Sequence, residues 1–160
     1  MPTIIVATFA GMAIEEDIKQ EKFSSEFHKM AINIMYTSSW LHSGNTARLK
    51  PHGVTPEQYN VLRILRGSHP SKMMLSEITK RMIDKSSNCT RLVEKLRTKE
   101  FVSREITPNN RRQVDIAITQ KGLAVLKKVD DESESWITSM KNVSVAEAKE
   151  LNRILDKLRG

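Results

Sequence analysis

The chain has 160 residues, of which 39% are hydrophobic and 28% charged, a composition that indicates a folded globular protein and excludes wholesale disorder. Its single cysteine, Cys89, excludes an internal disulfide and favours a reducing compartment. No apolar run approaches the length of a membrane span. The apolar opening, residues 1–14, has no basic residue in front of it, so we expect a tail rather than a signal peptide and a cytoplasmic protein with no membrane partner.

The positive charge is concentrated in one segment. The formal net charge is +7, and residues 80–112 contain ten Lys and Arg against four acids, so 10 − 4 = +6 of that charge lies in this stretch. A concentrated basic patch predicts a polyanionic partner, whereas a scattered excess would indicate only a solvated surface.

The segment 15–49 has apolar residues three, four or seven positions apart, which predicts one long helix with an interface stripe. Those residues are Phe23, Phe27, Met30, Ile34 and Leu41. The next helix begins at a capping box, with Thr55 as N-cap, Pro56 at the first helical position and Gln58 at the third. We expect Gly67 and the following "SHPS" to end it.

Two short helices are predicted within residues 73–101, separated by the polar turn "IDKSS". We expect Asp84 or Ser86 to open the second of them. Its apolar stripe comprises Cys89, Leu92, Val93 and Leu96. Its opposite face carries Ser87, Arg91, Glu94 and Thr98, flanked by Thr90 and Lys95.

A two-stranded hairpin follows, because residues 101–106 and 113–118 alternate as strands do. The connection "TPNNR" has turn chemistry, which places Arg111 and Arg112 at the hairpin tip. Thr119 is predicted to cap a further helix, and the apolar pattern continues through Trp136 and Ile137. A second capping box, "SVAE" at 144–147, opens the last helix.

A helix, a turn, a second helix and a hairpin that together carry the charge excess are the layout of a winged helix-turn-helix. A short helix with a polar leading end fits the major groove of DNA, and an extended wing brings arginines to the backbone or the minor groove. The predicted fold is therefore mainly α with a small β-hairpin wing, plus N- and C-terminal dimerisation helices.

The sequence resembles the MarR family of bacterial transcription regulators. The resemblance rests on "TPEQYNVLRIL", "LSEITKRMIDKSSNCTRLVEKL" followed by "FVSRE", and "NNRRQVDIAITQKG". It implies a two-fold dimer, a recognition helix beginning near Lys85, and a wing whose tip arginine enters the minor groove. Matched residue by residue, it implies DNA contacts to bases or nearby phosphates by Lys85, Ser86, Ser87, Thr90, Arg91, Lys95, Asn110, Arg111 and Arg112.

Two positions depart from the family pattern. Asn110 replaces the usual Asp before the wing arginines, which makes the wing looser or its tip more positive. Glu100 replaces the usual Gly after the recognition helix. A left-handed backbone there would cost a non-glycine residue on the order of 1 kcal/mol, so a different turn conformation is the alternative.

Other chemistries find less support in the sequence. Cys89 lies on an apolar stripe, which favours an inert thiol over an oxidant sensor. The four histidines lack metal-ligand spacing, and no catalytic motif is present, so we predict no metal, no cofactor and no enzyme activity. Relatives often bind small aromatic or phenolic effectors, and Tyr36, Trp40 and His42 lie in the corresponding region, with packing as the alternative role.

We therefore predict a homodimeric regulator, mostly a repressor, that binds a pseudo-palindromic operator in double-stranded DNA and responds to a ligand. The predicted organisation is an N-terminal tail at 1–14, a helical dimerisation region at 15–49 and 120–160, and the DNA-binding region at 50–119. A sequence-nonspecific DNA binder and a winged-helix protein-interaction module are the alternatives.

Overall fold

The computed structural model describes residues 13–107, 110–138, 140 and 142–160; within these ranges it describes the backbone alone at 106, 107, 110–113, 134, 135 and 137. Eight α-helices and three strands are assigned in the described residues. Asn45–Gly160 forms one compact unit, and the described residues 13–44 belong to another. Most of the predicted 1–14 tail lies outside the described residues.

The predicted long helix at 15–49 is wrong at its beginning. The structure has a short helix α1, Ile14–Asp17, and a separate helix α2, Glu26–Leu49. Lys19 between them has φ 54°, a left-handed conformation that no α-helix can continue through. The apolar spacing therefore predicted α2 correctly, but it extended the helix across a break that the sequence does not mark with Gly or Pro.

Helix α3, Pro56–Ser68, begins at the predicted capping box. The Thr55 hydroxyl accepts from the Gln58 backbone N–H at 3.3 Å, and Gln58 Oε1 accepts from the Thr55 N–H at 3.2 Å. Val61, Leu62 and Leu65 are buried on its inner face. Gly67 does not terminate the helix, since it lies inside α3 and the C-cap is His69.

Helices α4, Leu75–Arg81, and α5, Cys89–Thr98, confirm the predicted pair of short helices. Helix α5 starts later than expected, because its N-cap is Asn88 and neither Asp84 nor Ser86. Asn88 Oδ1 accepts from the Arg91 N–H at 3.0 Å, which satisfies one of the free donors of the first turn.

The sheet contains one strand more than the predicted hairpin. Strand β2, Val102–Thr107, and strand β3, Asn110–Ile118, pair antiparallel, and the short strand β1, Met73–Met74, pairs with the other edge of β3 in the order β1-β3-β2. Strand β2 has the predicted length but starts and ends one residue later, and β3 starts three residues earlier than predicted. Thr107 pairs with Asn110, so Arg111 and Arg112 belong to the first residues of β3 rather than to the connecting turn.

The junction between α5 and β2 is left-handed at Glu100, whose φ is 63°. The Phe101 N–H donates to Leu96 O at 3.0 Å and the Glu100 N–H donates to Arg97 O at 2.8 Å, which is the hydrogen-bond pattern of a Schellman motif. The alternative turn conformation is thus wrong, and Glu100 occupies a position that favours glycine. Its carboxylate accepts from Lys121 Nζ at 2.7 Å, and this bond lowers the pKa of Glu100.

Three helices complete the chain: α6, Gln120–Asp131, α7, Ser133–Thr138, and α8, Val145–Arg159. The predicted cap Thr119 and the predicted capping box of Ser144 and Glu147 are both confirmed. The core of the second unit contains side chains from α3, α4, α5, the sheet and α6, so the two short helices and the wing are fixed to one hydrophobic centre. The residues that form it include Leu49, Leu62, Leu65, Ile78, Val93, Leu96, Ile116 and Leu126.

Candidate DNA-binding surface

Helix α5 separates an apolar face from a polar one, as its sequence predicts. Cys89, Val93 and Leu96 are buried in the core, and Leu92 is half-buried against it. Thr90, Arg91 and Lys95 are exposed. The helix therefore offers a hydroxyl, a guanidinium and an ammonium on the side that faces away from the core, which are donors suited to base edges and phosphates.

The turn at 82–88 contains the other predicted residues of this surface. Lys85, Ser86 and Ser87 precede α5, so the expectation of a recognition helix beginning near Lys85 is wrong by about one turn. The Lys85 ammonium donates to the Lys80 carbonyl at the end of α4. Both serine hydroxyls donate to the carboxylate of Asp84, Ser86 at 2.7 Å and Ser87 at 3.0 Å.

An acid on α5 connects this helix to the wing. Glu94 accepts from Arg97 Nη2 at 2.6 Å and from Arg97 Nε at 3.1 Å, and Arg104 Nη1 on β2 lies 4.0 Å away. The hydrogen bond from Arg97 lowers the pKa of Glu94. Glu94 therefore neutralises part of the basic face, and its hydrogen bonds orient the Arg97 guanidinium.

The wing follows directly from this helix. Strand β2 contacts α5, and β3 pairs antiparallel with β2 from Val102↔Ile118 to Ile106↔Val114. The register shifts between Ile106 and Thr107, and Thr107 pairs with Asn110. The side chains of Asn110, Arg111 and Arg112 lie outside the described residues. Their backbone is at the distal end of the hairpin, which is where the sequence analysis expected the basic pair.

Sequence reasoning missed Ile83 in the same turn. Its side chain is 85% exposed although it is apolar, and its backbone N–H donates to Asn60 Oδ1 on α3 at 2.9 Å. The only sequence signal was an isoleucine out of phase with the apolar stripe of Leu75, Ile78 and Met82. The Asn60 bond fixes the turn that Asp84, Ser86 and Ser87 share.

A second unpredicted group is the stack around Arg48, at the end of α2. Its guanidinium lies 5.4 Å from the ring centre of Tyr59 on α3 and 5.0 Å from that of Trp136 on α7. Arg48 Nη2 donates to Asn45 at 2.8 Å, while its Nε is buried with no hydrogen-bond partner among the described residues. Cation–π contacts of this kind tie α2, α3 and α7 together within the second unit.

The predicted effector candidates share one helix. Tyr36 and Trp40 are one turn apart on α2 and are 37% and 44% exposed, and His42 is exposed on the same helix. The structure thus places two of these aromatic rings on a common face of α2.

Cys89 is buried at the first position of α5, and its burial raises the pKa of the thiol. A thiol that is both buried and protonated is a poor nucleophile. No group of three or more potential metal ligands occurs in the described parts of the chain. No described helix combines the length and the apolar character that a membrane span requires.

A short helix, a fixed turn, a second helix with an exposed polar face and an antiparallel wing define a winged helix-turn-helix DNA-binding protein. Residues 54–114 match the model of the MarR family. Among curated proteins, the HTH-type transcriptional regulator MhqR of Bacillus subtilis is 29% identical over 108 residues, 68% of this chain and 72% of MhqR.

Solved structures with the same fold include a cysteine-to-serine mutant of MarR from E. coli complexed with operator DNA. It has a TM-score of 0.72 and 23% identity, and the match covers 83% of this chain and 95% of that one. The organohalide-sensing regulator RdhR-CbdbA1625 in its 2,4-dichlorophenol-bound form has a TM-score of 0.78 and 17% identity, with 95% and 86% of the chains covered. Residues 54–114 thus match a MarR-type domain, and the chain is similar to curated HTH-type transcriptional regulators.

Proposed function

We propose that this regulator is a ligand-responsive repressor that binds a pseudo-palindromic operator as a homodimer. The observation that carries the proposal is the exposed face of α5, with Thr90, Arg91 and Lys95 on a helix whose opposite face is buried in the core. A helix fixed in this way enters the major groove as a rigid element, and a two-fold dimer contacts half-sites about 10 bp apart.

The basic side chains divide into two roles. Lys85, Lys95, Arg111 and Arg112 supply attraction to phosphates that depends little on sequence, with Asn110 beside the wing pair. Thr90 and Arg91, on the exposed side of the first turn of α5, discriminate between bases, because an arginine can donate two hydrogen bonds to guanine. We assign residues 50–119 to DNA binding.

Dimerisation is supported by apolar side chains that one chain leaves uncovered. Helix α8 buries none of its residues, and Leu151, Ile154 and Leu158 on it are 52%, 41% and 52% exposed. Phe27 and Met35 on α2 are 79% and 63% exposed. Contiguous apolar faces of this kind mark interfaces, and we assign them to a second copy through residues 15–49 and 120–160.

Ligand control is supported by the dichlorophenol-bound state of the structurally similar RdhR-CbdbA1625. We assign a small aromatic effector to this chain, with Tyr36, Trp40 and His42 as candidate contacts on α2. An effector that changes the spacing of the two DNA-binding regions would prevent both recognition helices from reaching their grooves, and the operator would lose its second contact. The protein then acts in the cytoplasm on chromosomal DNA.

The wing assignment is tested by replacing Arg111 and Arg112 with alanine. The double variant is expected to bind all DNA more weakly and to show a flatter dependence of affinity on salt, since fewer counterions are released. The matched control replaces Lys127 and Lys128, an exposed pair on α6, and removes the same charge. An unchanged salt slope in the wing variant, or an equal loss in the control, contradicts the assignment.

The recognition face is tested by Arg91→Ala. This change is expected to lower the ratio of operator affinity to random-sequence affinity by about tenfold, because a contact to a base edge contributes to one affinity and not the other. Lys127→Ala, an exposed position on α6, is the control. A constant ratio for Arg91→Ala shows that this residue contacts only the backbone or nothing.

A further inference from the structure

The turn before α5 contains one acid that receives three hydrogen bonds from its neighbours. Asp84 Oδ1 accepts from the Ser86 N–H at 2.9 Å and from the Ser86 hydroxyl at 2.7 Å. Asp84 Oδ2 accepts from the Ser87 hydroxyl at 3.0 Å. Asp84 is therefore the acceptor for both serine side chains that the sequence assigned to DNA contact.

These bonds decide what the serines present to DNA. A hydroxyl has one hydrogen and two lone pairs, and a carboxylate has no hydrogen to give, so each serine must be the donor in its bond to Asp84. Ser86 is exposed and Ser87 is partly exposed, and with their hydrogens engaged they present only lone pairs outwards.

DNA offers few partners for a lone pair. Phosphate oxygens are acceptors, as are guanine O6 and N7 and thymine O4, so none of them can bond to a hydroxyl that has already donated its hydrogen. In the major groove the base-edge donors are the amino groups of adenine N6 and cytosine N4. The negative charge of Asp84 also disfavours a phosphate beside the turn.

We infer that Asp84 is a specificity-determining residue that fixes Ser86 and Ser87 as hydrogen-bond acceptors, so that these two hydroxyls read adenine or cytosine amino groups and do not bind phosphate. The inference rests on the proposed operator-binding function and deepens it. The sequence alone allowed both serines to contact either bases or phosphates, and the bonds to Asp84 favour bases. The inference also adds an acid to a surface that was assigned to basic and neutral residues.

Ser87→Ala is the first test, measured as affinity for the operator and for a random-sequence duplex at several salt concentrations. Loss of an accepting hydroxyl is expected to weaken operator binding by about threefold to tenfold, while random-sequence affinity and the salt slope stay unchanged. A phosphate-bound serine would instead weaken both affinities by the same factor, and that result overturns the inference. Ser71→Ala, an exposed serine before β1, is the control.

Asp84→Asn is the second test, because it reverses the polarity of one serine with little change in shape. The amide oxygen would keep the two bonds from Ser86, and the amide nitrogen would then donate to the Ser87 hydroxyl and release its hydrogen. Random-sequence affinity is expected to rise and the ratio of operator to random affinity to fall by about tenfold. Asp131→Asn at the end of α6 removes the same charge from an exposed site and is expected to leave the ratio unchanged.

The two variants together separate the possible failures. If Asp84→Asn raises operator and random affinities equally, Asp84 acts only through its charge and the inference is wrong. If the unaltered protein prefers its operator but Ser87→Ala lowers both affinities alike, the inference fails and the proposed function stands. If the unaltered protein shows no operator preference, the proposed function itself is contradicted.

Discussion

Gly122 fixes the start of α6 against the junction between α5 and the wing, and a single methyl group there should be measurably destabilising. A Cβ at this position would lie 2.3 Å from Phe101 O and 2.8 Å from Ile118 Cγ1. The same carbonyl accepts from the Thr119 N–H at 3.0 Å, so moving it also disturbs the N-terminal cap of the helix. The neighbour is backbone, which cannot turn aside as a flexible side chain can.

The expected cost follows from opposing contributions. Overpacking a tight site destabilises the folded state by about 1–3 kcal/mol, whereas the higher helix propensity of alanine than of glycine stabilises it by about 0.5–1 kcal/mol. Disturbing the Thr119 hydrogen bond adds about 1 kcal/mol. Gly122→Ala is therefore expected to lower the free energy of unfolding by about 1–3 kcal/mol, or to lower the melting temperature by several degrees in a chain of this length.

Gly67→Ala is the matched control, because the same methyl group added inside α3 meets nothing within 4 Å. This variant is expected to be more stable than the unaltered protein by about 0.5 kcal/mol. The assay is urea unfolding followed by circular dichroism at one protein concentration, since dimerisation would make stability concentration-dependent. Equal stabilities for the two alanine variants would refute the packing account of the α5–wing junction.

Three further predictions concern the same region. Glu100→Gly should unfold at higher urea concentration than Glu100→Ala, because both variants lose the bond to Lys121 and only glycine adopts a φ of 63° without strain. The reverse order would show that the junction between α5 and β2 is not left-handed. Asn88→Ala should lower the free energy of unfolding by about 1 kcal/mol and Asn88→Ser by much less, because only a side-chain acceptor caps the Arg91 N–H. Identical melting curves for the two variants would show that Asn88 does not cap α5. Cys89 should react with a thiol reagent far more slowly in the native protein than in urea, because burial raises the pKa of its thiol. Labelling of the native protein at the rate of a free thiol would mean that the first turn of α5 opens readily.

The sequence predicted the features that depend on neighbours a few residues apart. The capping boxes at Thr55 and Ser144 and the cap at Thr119 are local hydrogen-bond patterns, and all three are confirmed. The buried stripe of α5 is likewise confirmed, because apolar spacing records which face meets the core. These elements were sufficient to predict the helix-turn-helix and its wing.

Other features depend on competition that the sequence does not reveal. Asp84, Ser86 and Asn88 are all residues that cap helices, and the start of α5 was placed too early because Asp84 binds the two serines while Asn88 reaches the free Arg91 N–H. The break after α1 has no Gly or Pro to mark it, and its local signal is Ser25, whose hydroxyl accepts from the His28 N–H at 3.1 Å at the start of α2. The Arg48 stack joins positions far apart in the chain, which periodicity cannot indicate.

Operator reading is tested most directly by titrating the purified protein on a labelled fragment from upstream of its own gene against a shuffled fragment. The titration is made at low and at near-physiological salt, because phosphate contacts alone give affinity that falls steeply as salt rises. We expect a preference of about a thousandfold or more for the native fragment, and we expect it to persist at the higher salt. Equal affinity for both fragments, lost as salt rises, would contradict operator reading and identify a sequence-nonspecific DNA binder.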